Sequence, residues 1–175
     1  KIMQKIMPDK HVVTGDRKWI KESAELGSEL AANGYYNIYV NEDRLIKASK
    51  IANNKLIIGE AEFEALILYR EQKLSLTVAE KLSEISAAGI PVLVYGCKPV
   101  KIPSMSDYQN KELKLVEYVD SFTKNVMENH SEILGKLSEI GVTKEIIYDE
   151  PQYDVGFIHK KDREEDIDYY FIRNH

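Results

Sequence analysis

The residue with the clearest chemical potential in this sequence is its single cysteine, Cys97. It follows an apolar run at residues 92–95, and open α/β sheets place their sites just beyond the carboxyl ends of such strands. A nucleophilic cysteine needs a lowered pKa and a sharp turn that exposes its sulfur. Here no glycine stands two residues after the sulfur, and Pro99 and Pro103 disfavour a helix directly behind it. We therefore interpret Cys97 as a structural loop thiol and predict no catalytic residue, with thiol catalysis as the alternative.

Two other places carry side chains that could contact a ligand. Asn41 and Glu42 directly follow residues 35–40, a β-branched and aromatic run that predicts a strand. Their alternative role is to cap the short helix expected next. His159 lies in a C-terminal pattern of alternating residues, where a hydrogen-bonded, partly buried imidazole is the main interpretation and a general base is the alternative. Asn41, Glu42 and His159 are our candidate ligand-binding residues.

The sequence lacks the patterns typical of metal and cofactor sites. The four histidines are dispersed, and no two of them have metal-ligand spacing. The acidic stretch at residues 162–168 lacks the glycine and the distal glutamate of a calcium-binding loop, so we interpret it as a solvated turn. No glycine-rich phosphate-binding loop is present. We predict neither a metal nor a cofactor.

Residues 62–97 show the clearest structural pattern. Two apolar runs, at residues 65–69 and 92–95, flank a helical pattern in which Thr77 and Glu80 form a candidate capping box. A strand, a helix and a strand with short links predict a βαβ unit. Because both strands are apolar on their two faces, we expect a parallel sheet that is covered by helices on each side.

The remaining patterns complete an α/β fold. They predict a helix at residues 18–33 and two more helices that open at candidate capping boxes, one at Ser106 and Gln109 and one at Asn129 and Glu132. They also predict a strand at residues 145–148, a hairpin around residues 52–55, and a second hairpin that pairs residues 155–160 with 167–172. The predicted fold class is therefore three-layer α/β. It has a mostly parallel sheet and an appended antiparallel C-terminal hairpin, in one domain over residues 1–175.

Length, composition and charge limit the class of protein. A chain of 175 residues, 43% hydrophobic and 30% charged, is typical of one globular domain. The net charge of -5 and the scattered lysines argue against nucleic acid as a partner, and no apolar run approaches the roughly 18 residues of a membrane span. The chain starts at Lys1 and stops just after a strand-like run at residues 169–172, so we expect a domain of a longer polypeptide.

The order of these segments resembles the class I glutamine amidotransferase-like fold, which is flavodoxin-like. In that superfamily a buried strand, a helix and a Pro-Val-Leu strand lead to a nucleophilic cysteine. Residues 65–69, 77–88 and 91–95 are similar to that layout. The family turn reads Gly-x-Cys-x-Gly, whereas here Gly96 occupies the cysteine position and Cys97 comes one place late. The resemblance implies a degenerate domain that has kept the fold and lost the thiol chemistry.

Four segments together resemble the α-L-rhamnosidases of glycoside hydrolase family 106. They are residues 36–45 (YNIYVNEDRL), 55–68, 156–161 (GFIHKK) and 170–174 (YFIRN). This resemblance implies an accessory, non-catalytic domain of a bacterial glycosidase that acts on rhamnose-containing polysaccharides in the periplasm or outside the cell. The implied partners are other domains of the same polypeptide, a catalytic (β/α)8 barrel and a β-sandwich, with carbohydrate as a further candidate.

Glycoside hydrolysis requires two carboxylates held across a sugar. Glu42, Glu60, Glu62 and Glu64 are available, but no sequence pattern places two of them in one pocket. The resemblance implies that the catalytic acids lie on the barrel instead. The alternatives to an accessory domain are a stand-alone thiol enzyme that uses Cys97 and a sugar-binding or oligomerisation module.

Overall fold

The computed structural model describes residues 2–5, 17–47, 49–103, 108–123, 125–162 and 164–174, with side chains from residue 24 onward. The elements in chain order are β1 (Ile2–Lys5), α1 (Arg17–Ala32), β2 (Asn37–Val40), α2 (Glu42–Lys47), β3 (Ser49–Ala52), β4 (Lys55–Ile58), β5 (Ala61–Phe63), β6 (Ala65–Tyr69), α3 (Leu76–Ala87), β7 (Val92–Tyr95), α4 (Tyr108–Phe122), β8 (Val126–Met127), α5 (His130–Glu139), β9 (Val155–Asp162) and β10 (Ile167–Asn174). The fold is mixed α/β, as the sequence predicts.

A five-stranded parallel sheet forms the centre of the fold. Its strand order is β2-β1-β6-β7-β8. β6, α3 and β7 form the predicted βαβ unit, with Leu66 opposite Val92 and Tyr69 opposite Tyr95. The parallel sheet and the βαβ unit are confirmed.

The apolar runs of β6 and β7 are buried on both faces of the sheet. On one face, Leu66 and Leu68 belong to a core cluster that includes residues of α3 and α4. On the other face, Ile67 and Tyr69 belong to a second cluster, which includes residues of α1 and α5. Successive strand residues point to opposite faces, so a strand covered on both sides must be apolar at every position.

Side-chain caps set the start of two helices. The Asn129 Oδ1 atom accepts a hydrogen bond from the Glu132 N–H at 3.0 Å, and the Glu132 carboxylate accepts one from the Glu128 N–H at 2.8 Å, which confirms this predicted cap. The cap predicted at Thr77 is wrong. Ser75 caps α3 instead, because its extended backbone allows its hydroxyl to accept from the Val78 N–H. The cap predicted at Ser106 lies outside the described residues.

The structure corrects the strand predictions in two places. No strand forms at residues 145–148, because the Glu145 and Ile146 N–H groups both donate to the Gly34 carbonyl oxygen and not to a neighbouring strand. The fifth strand of the sheet is the two-residue β8, which is too short to produce a periodic signal. The strand β1, which lies between β2 and β6, was also not predicted, since Ile-Met-Gln-Lys is neither alternating nor continuously apolar.

Two antiparallel sheets accompany the parallel one. The hairpin predicted around residues 52–55 is confirmed as β3 and β4, with Asn53 and Asn54 at φ angles of 52° and 56°, as a tight hairpin turn requires. β5, which was not predicted, adds a third strand to it. The C-terminal hairpin is confirmed as β9 and β10, paired over eight residues each.

Candidate functional site

A groove of about 710 Å³ opens beside β5, the loop after α5 and the C-terminal hairpin. Its volume falls within the range of small-molecule sites. We name it the acidic groove after the four glutamates that line it, Glu60, Glu62, Glu64 and Glu145. Tyr36 contributes an aromatic side chain to the same lining. This groove is where the chemistry-bearing side chains of the described residues concentrate.

The β5 strand and its two flanking residues bring three glutamates to the groove. Glu62 lies within β5, and Glu60 and Glu64 stand directly before and after it. Phe63 lies between two of them, is fully buried in the core and pairs with Leu56 of β4. Because successive strand residues point to opposite faces, burial of the phenylalanine fixes the direction of Glu62.

Lys55 joins two of these carboxylates. Its Nζ atom lies 3.2 Å from the Glu62 Oε2 atom and 3.9 Å from the Glu64 Oε1 atom. The two carboxylate oxygens are therefore no more than about 7.1 Å apart, the sum of those distances. The sequence placed no such pair in one pocket, whereas the β4–β5 pairing does so and adds a lysine between them.

Glu64 also holds the loop that follows α5. Its Oε2 atom accepts a hydrogen bond from the Thr143 N–H at 2.8 Å, and its Oε1 atom accepts one from the Thr143 hydroxyl at 3.2 Å. Hydrogen bonds to an ionised carboxylate are stronger than those between neutral groups. Glu64 thus connects the β5–β6 junction to a segment 79 residues further along the chain.

His159 lies between two carboxylates at the hairpin end of the groove. Its Nδ1 atom contacts the Glu145 carboxylate, and its Nε2 atom lies 2.7 Å from the Asp168 Oδ1 atom. The ring stacks on Tyr170, with 4.5 Å between ring centroids. Nε2 and the Asp168 carboxylate form a hydrogen bond, and the contact with Glu145 lies on the other side of the ring. The ring is thus held between the loop and the hairpin, which favours a histidine that fastens the hairpin over a general base.

Comparison with known proteins identifies the family. A family model described as α-L-rhamnosidase, glycoside hydrolase family 106, matches residues 18–175. The chain belongs to this family. Membership confirms the family that the four sequence segments predict. No curated protein matches the chain significantly.

Among solved structures, this rhamnosidase-family chain is similar to a rhamnosidase from Novosphingobium sp. PP1Y. The TM-score is 0.62 at 16% sequence identity, a likeness that shows the fold alone. The match covers 99% of this chain but only 17% of that chain. The family domain described here thus corresponds to a small part of that protein.

Asn41 and Glu42 belong to the segment that resembles the rhamnosidases, but the structure does not bring them to the acidic groove. Asn41 caps α2, because its Oδ1 atom accepts a hydrogen bond from the Arg44 N–H at 2.9 Å. Of the three predicted ligand-binding residues, His159 alone lines the groove. Ligand binding by these residues stays a prediction.

The sequence missed two residues that organise the groove. Lys55 had a usable signal, since a lysine in one strand of a hairpin commonly faces an acidic residue across the ladder. Glu145 had no such signal, because residues 145–148 were predicted to form a strand.

Among the described residues, no group of three or more histidine, cysteine, aspartate or glutamate side chains could hold a metal ion. No helix in the described ranges is long and apolar enough to cross a membrane.

Cys97 lies away from the acidic groove, beyond the end of β7, in surroundings that do not activate a thiol. Burial and the nearby Glu71 carboxylate raise the pKa of Cys97, and Arg70 opposes them with a smaller lowering effect. Nucleophilic cysteines have the opposite shift, with a pKa below the ordinary value. The environment therefore agrees with a structural loop thiol.

We expect alkylation of Cys97 by iodoacetamide to show a thiolate titration whose midpoint lies above that of the same residue in the urea-unfolded chain. The cause is the raised pKa in the folded state, where burial and Glu71 disfavour the thiolate. The measurement is the pH dependence of the alkylation rate in both states. A folded-state midpoint below the unfolded one would support the thiol-enzyme alternative.

Proposed function

We propose that this chain is an accessory, non-catalytic domain of a multidomain α-L-rhamnosidase-like glycoside hydrolase that acts on rhamnose-containing polysaccharides. Family membership supports the glycosidase class. The share of the Novosphingobium rhamnosidase that the chain matches, 17%, supports an accessory place within a larger enzyme. The non-catalytic assignment rests on the contacts that three groove carboxylates, Glu62, Glu64 and Glu145, make within the protein.

Glycosidases need one carboxylic acid that gives up a proton and one carboxylate that acts on the opposite side of the sugar. In the acidic groove, the Lys55 ammonium group lies within ion-pair distance of both Glu62 and Glu64. Glu64 also accepts two hydrogen bonds from Thr143, and Glu145 is paired with His159. These carboxylates hold the protein together, and none of the three is set apart as a proton donor.

Glutamine substitution tests this assignment in the enzyme whose polypeptide contains the chain. We expect Glu62→Gln and Glu64→Gln to leave kcat/KM for an aryl α-L-rhamnoside within about twofold of the wild type, since amides keep the shape of the site. Loss of a general acid or base typically lowers the rate by about 10²–10⁴-fold.

Thermal unfolding of each variant separates a fold defect from a catalytic one. Lys55→Met is the matched control, because it breaks the same ion pairs without removing a carboxylate. A hundredfold loss of kcat/KM in a glutamine variant that unfolds like the wild type, with Lys55→Met active, would place catalysis in the groove and refute the proposal.

We also propose that the domain has the flavodoxin-like, three-layer arrangement of the amidotransferase-like fold, without its chemistry. The strand order β2-β1-β6-β7-β8 supports this, since the parallel strands in chain order follow the 2-1-3-4-5 pattern of flavodoxin-like sheets. The core clusters on the two sheet faces, with helices in each, support three layers. The raised pKa of Cys97 supports the loss of thiol chemistry.

A further inference from the structure

The outer strand of the C-terminal hairpin is exposed along its whole length although its sequence is apolar. All eight residues of β10 are exposed, and its centre reads Tyr169-Tyr-Phe-Ile172. Phe171 and Ile172 expose 61% and 67% of their surface. Scattered apolar side chains are normal on a protein surface, but a contiguous group of them marks an interaction site.

The pairing register shows that the apolar side chains lie on both faces of β10. Phe171 pairs with Ile158 of β9, and these two side chains share the face turned away from the protein, where Ile158 is 58% exposed. The other face of β9 packs inward, with Phe157 against Tyr36 at 6.2 Å between ring centroids. Ile172, which pairs with Phe157, nevertheless stays exposed. β10 therefore extends beyond the body of the domain.

The free edge of β10 is suited to strand addition. Within the described residues β10 pairs with β9 alone, so its other edge presents backbone N–H and C=O groups over eight residues. Proteins usually protect such edges with proline, bulges or several charges. This strand has no proline, its pairing with β9 is continuous, and its charged residues are Asp168 and Arg173 near its two ends.

We propose that the face and free edge of this hairpin are a docking surface for another domain of the same rhamnosidase polypeptide, which adds a β-strand along β10 and covers Ile158 and Phe171. The inference rests on the proposed function. The match with the Novosphingobium rhamnosidase covers 99% of this chain but only 17% of that protein. In that protein, the equivalent domain therefore belongs to a polypeptide that is several times longer. A tethered partner has a high effective concentration, which keeps an apolar edge occupied and protects it from aggregation.

The test is hydrogen exchange, measured by mass spectrometry on the longer polypeptide. We expect peptides covering residues 167–174 to exchange at least tenfold more slowly in the wild type than in Phe171→Lys, because the lysine prevents the apolar face from docking. Leu113→Lys is the matched control. Leu113 is a 68% exposed apolar residue on α4, and its substitution is expected to leave the protection of β10 unchanged.

Two results would overturn the docking proposal. One is wild-type β10 that exchanges as fast as in Phe171→Lys. The other is an isolated chain that forms a defined dimer by light scattering, with β10 protected in it, since the occupant would then be a second copy. Rhamnosidase activity of the isolated chain is a separate result, which would refute the accessory function and leave the exchange data as evidence on docking.

Discussion

Replacing Gly34 with alanine is expected to destabilise the folded chain by about 3 kcal/mol, as the combined effect of left-handed backbone strain and overpacking. Gly34 has a φ of +84°, which side chains rarely adopt, and an added Cβ would overlap the Ile146 carbonyl oxygen. That neighbour is backbone and cannot rotate away. The Gly34 carbonyl also accepts hydrogen bonds from the Glu145 and Ile146 N–H groups. A shift here would therefore displace the segment that brings Glu145 to His159.

Urea unfolding of the two proteins measures this effect. The matched control is Gly59→Ala, which has a similar φ of +62° but meets no atom within 4 Å, so we expect it to cost about 1 kcal/mol from backbone strain alone. If both substitutions cost the same, the close approach of residues 34 and 146 is incorrect. The position of Glu145 in the groove would then lose its support.

Replacing a buried side chain of the central strand β6 with alanine is expected to lower the free energy of unfolding by a similar amount on either face of the sheet. Ile67 and Leu68 are adjacent in β6, fully buried, and assigned to different core clusters. Because each truncation leaves a cavity in a packed core, Ile67→Ala and Leu68→Ala should each lower the free energy of unfolding by about 3 kcal/mol, within the range of roughly 2–5 for such changes.

The control for these variants is Leu113→Ala on the exposed side of α4, for which we expect a change within about 0.5 kcal/mol. Urea unfolding with a common m-value again gives the comparison. A large effect at one of the two β6 positions and a small one at the other would mean that one face of the sheet is open to solvent. That result would contradict burial of the sheet on both faces.

The parts of the fold that could be predicted are those whose signal is local. β6, α3 and β7 each carry their own pattern, and the hairpin turn at Asn53 and Asn54 has residues that accept positive φ. β1 and β8 could not be found, because one has no apolar pattern and the other has only two residues, so both depend on pairing with neighbours distant in sequence. Residues 145–148 were predicted to form a strand, but hydrogen bonds to Gly34, which is distant in sequence, decide the conformation of this segment.

The acidic groove shows the same division between local and distant information. Alternation through residues 60–64 is written in the sequence and could have placed Glu60, Glu62 and Glu64 on one side of a strand. The position of Lys55 depends on the β4–β5 register, and the meeting of Glu145 with His159 depends on how a loop and a hairpin pack. Helix capping by Asn41 was a local alternative in the sequence, and the structure contains it as a hydrogen bond from the Arg44 N–H to the Asn41 Oδ1 atom.

The most direct test of the accessory function is an assay of the isolated 175-residue chain with an aryl α-L-rhamnoside. The chain must first show cooperative unfolding, so that inactivity cannot come from misfolding. We predict no hydrolysis above the uncatalysed rate, because Glu62, Glu64 and Glu145 of the acidic groove contact Lys55, Thr143 and His159. Turnover by the folded chain that Glu62→Gln or Glu64→Gln abolishes would contradict the account and make the groove an active site.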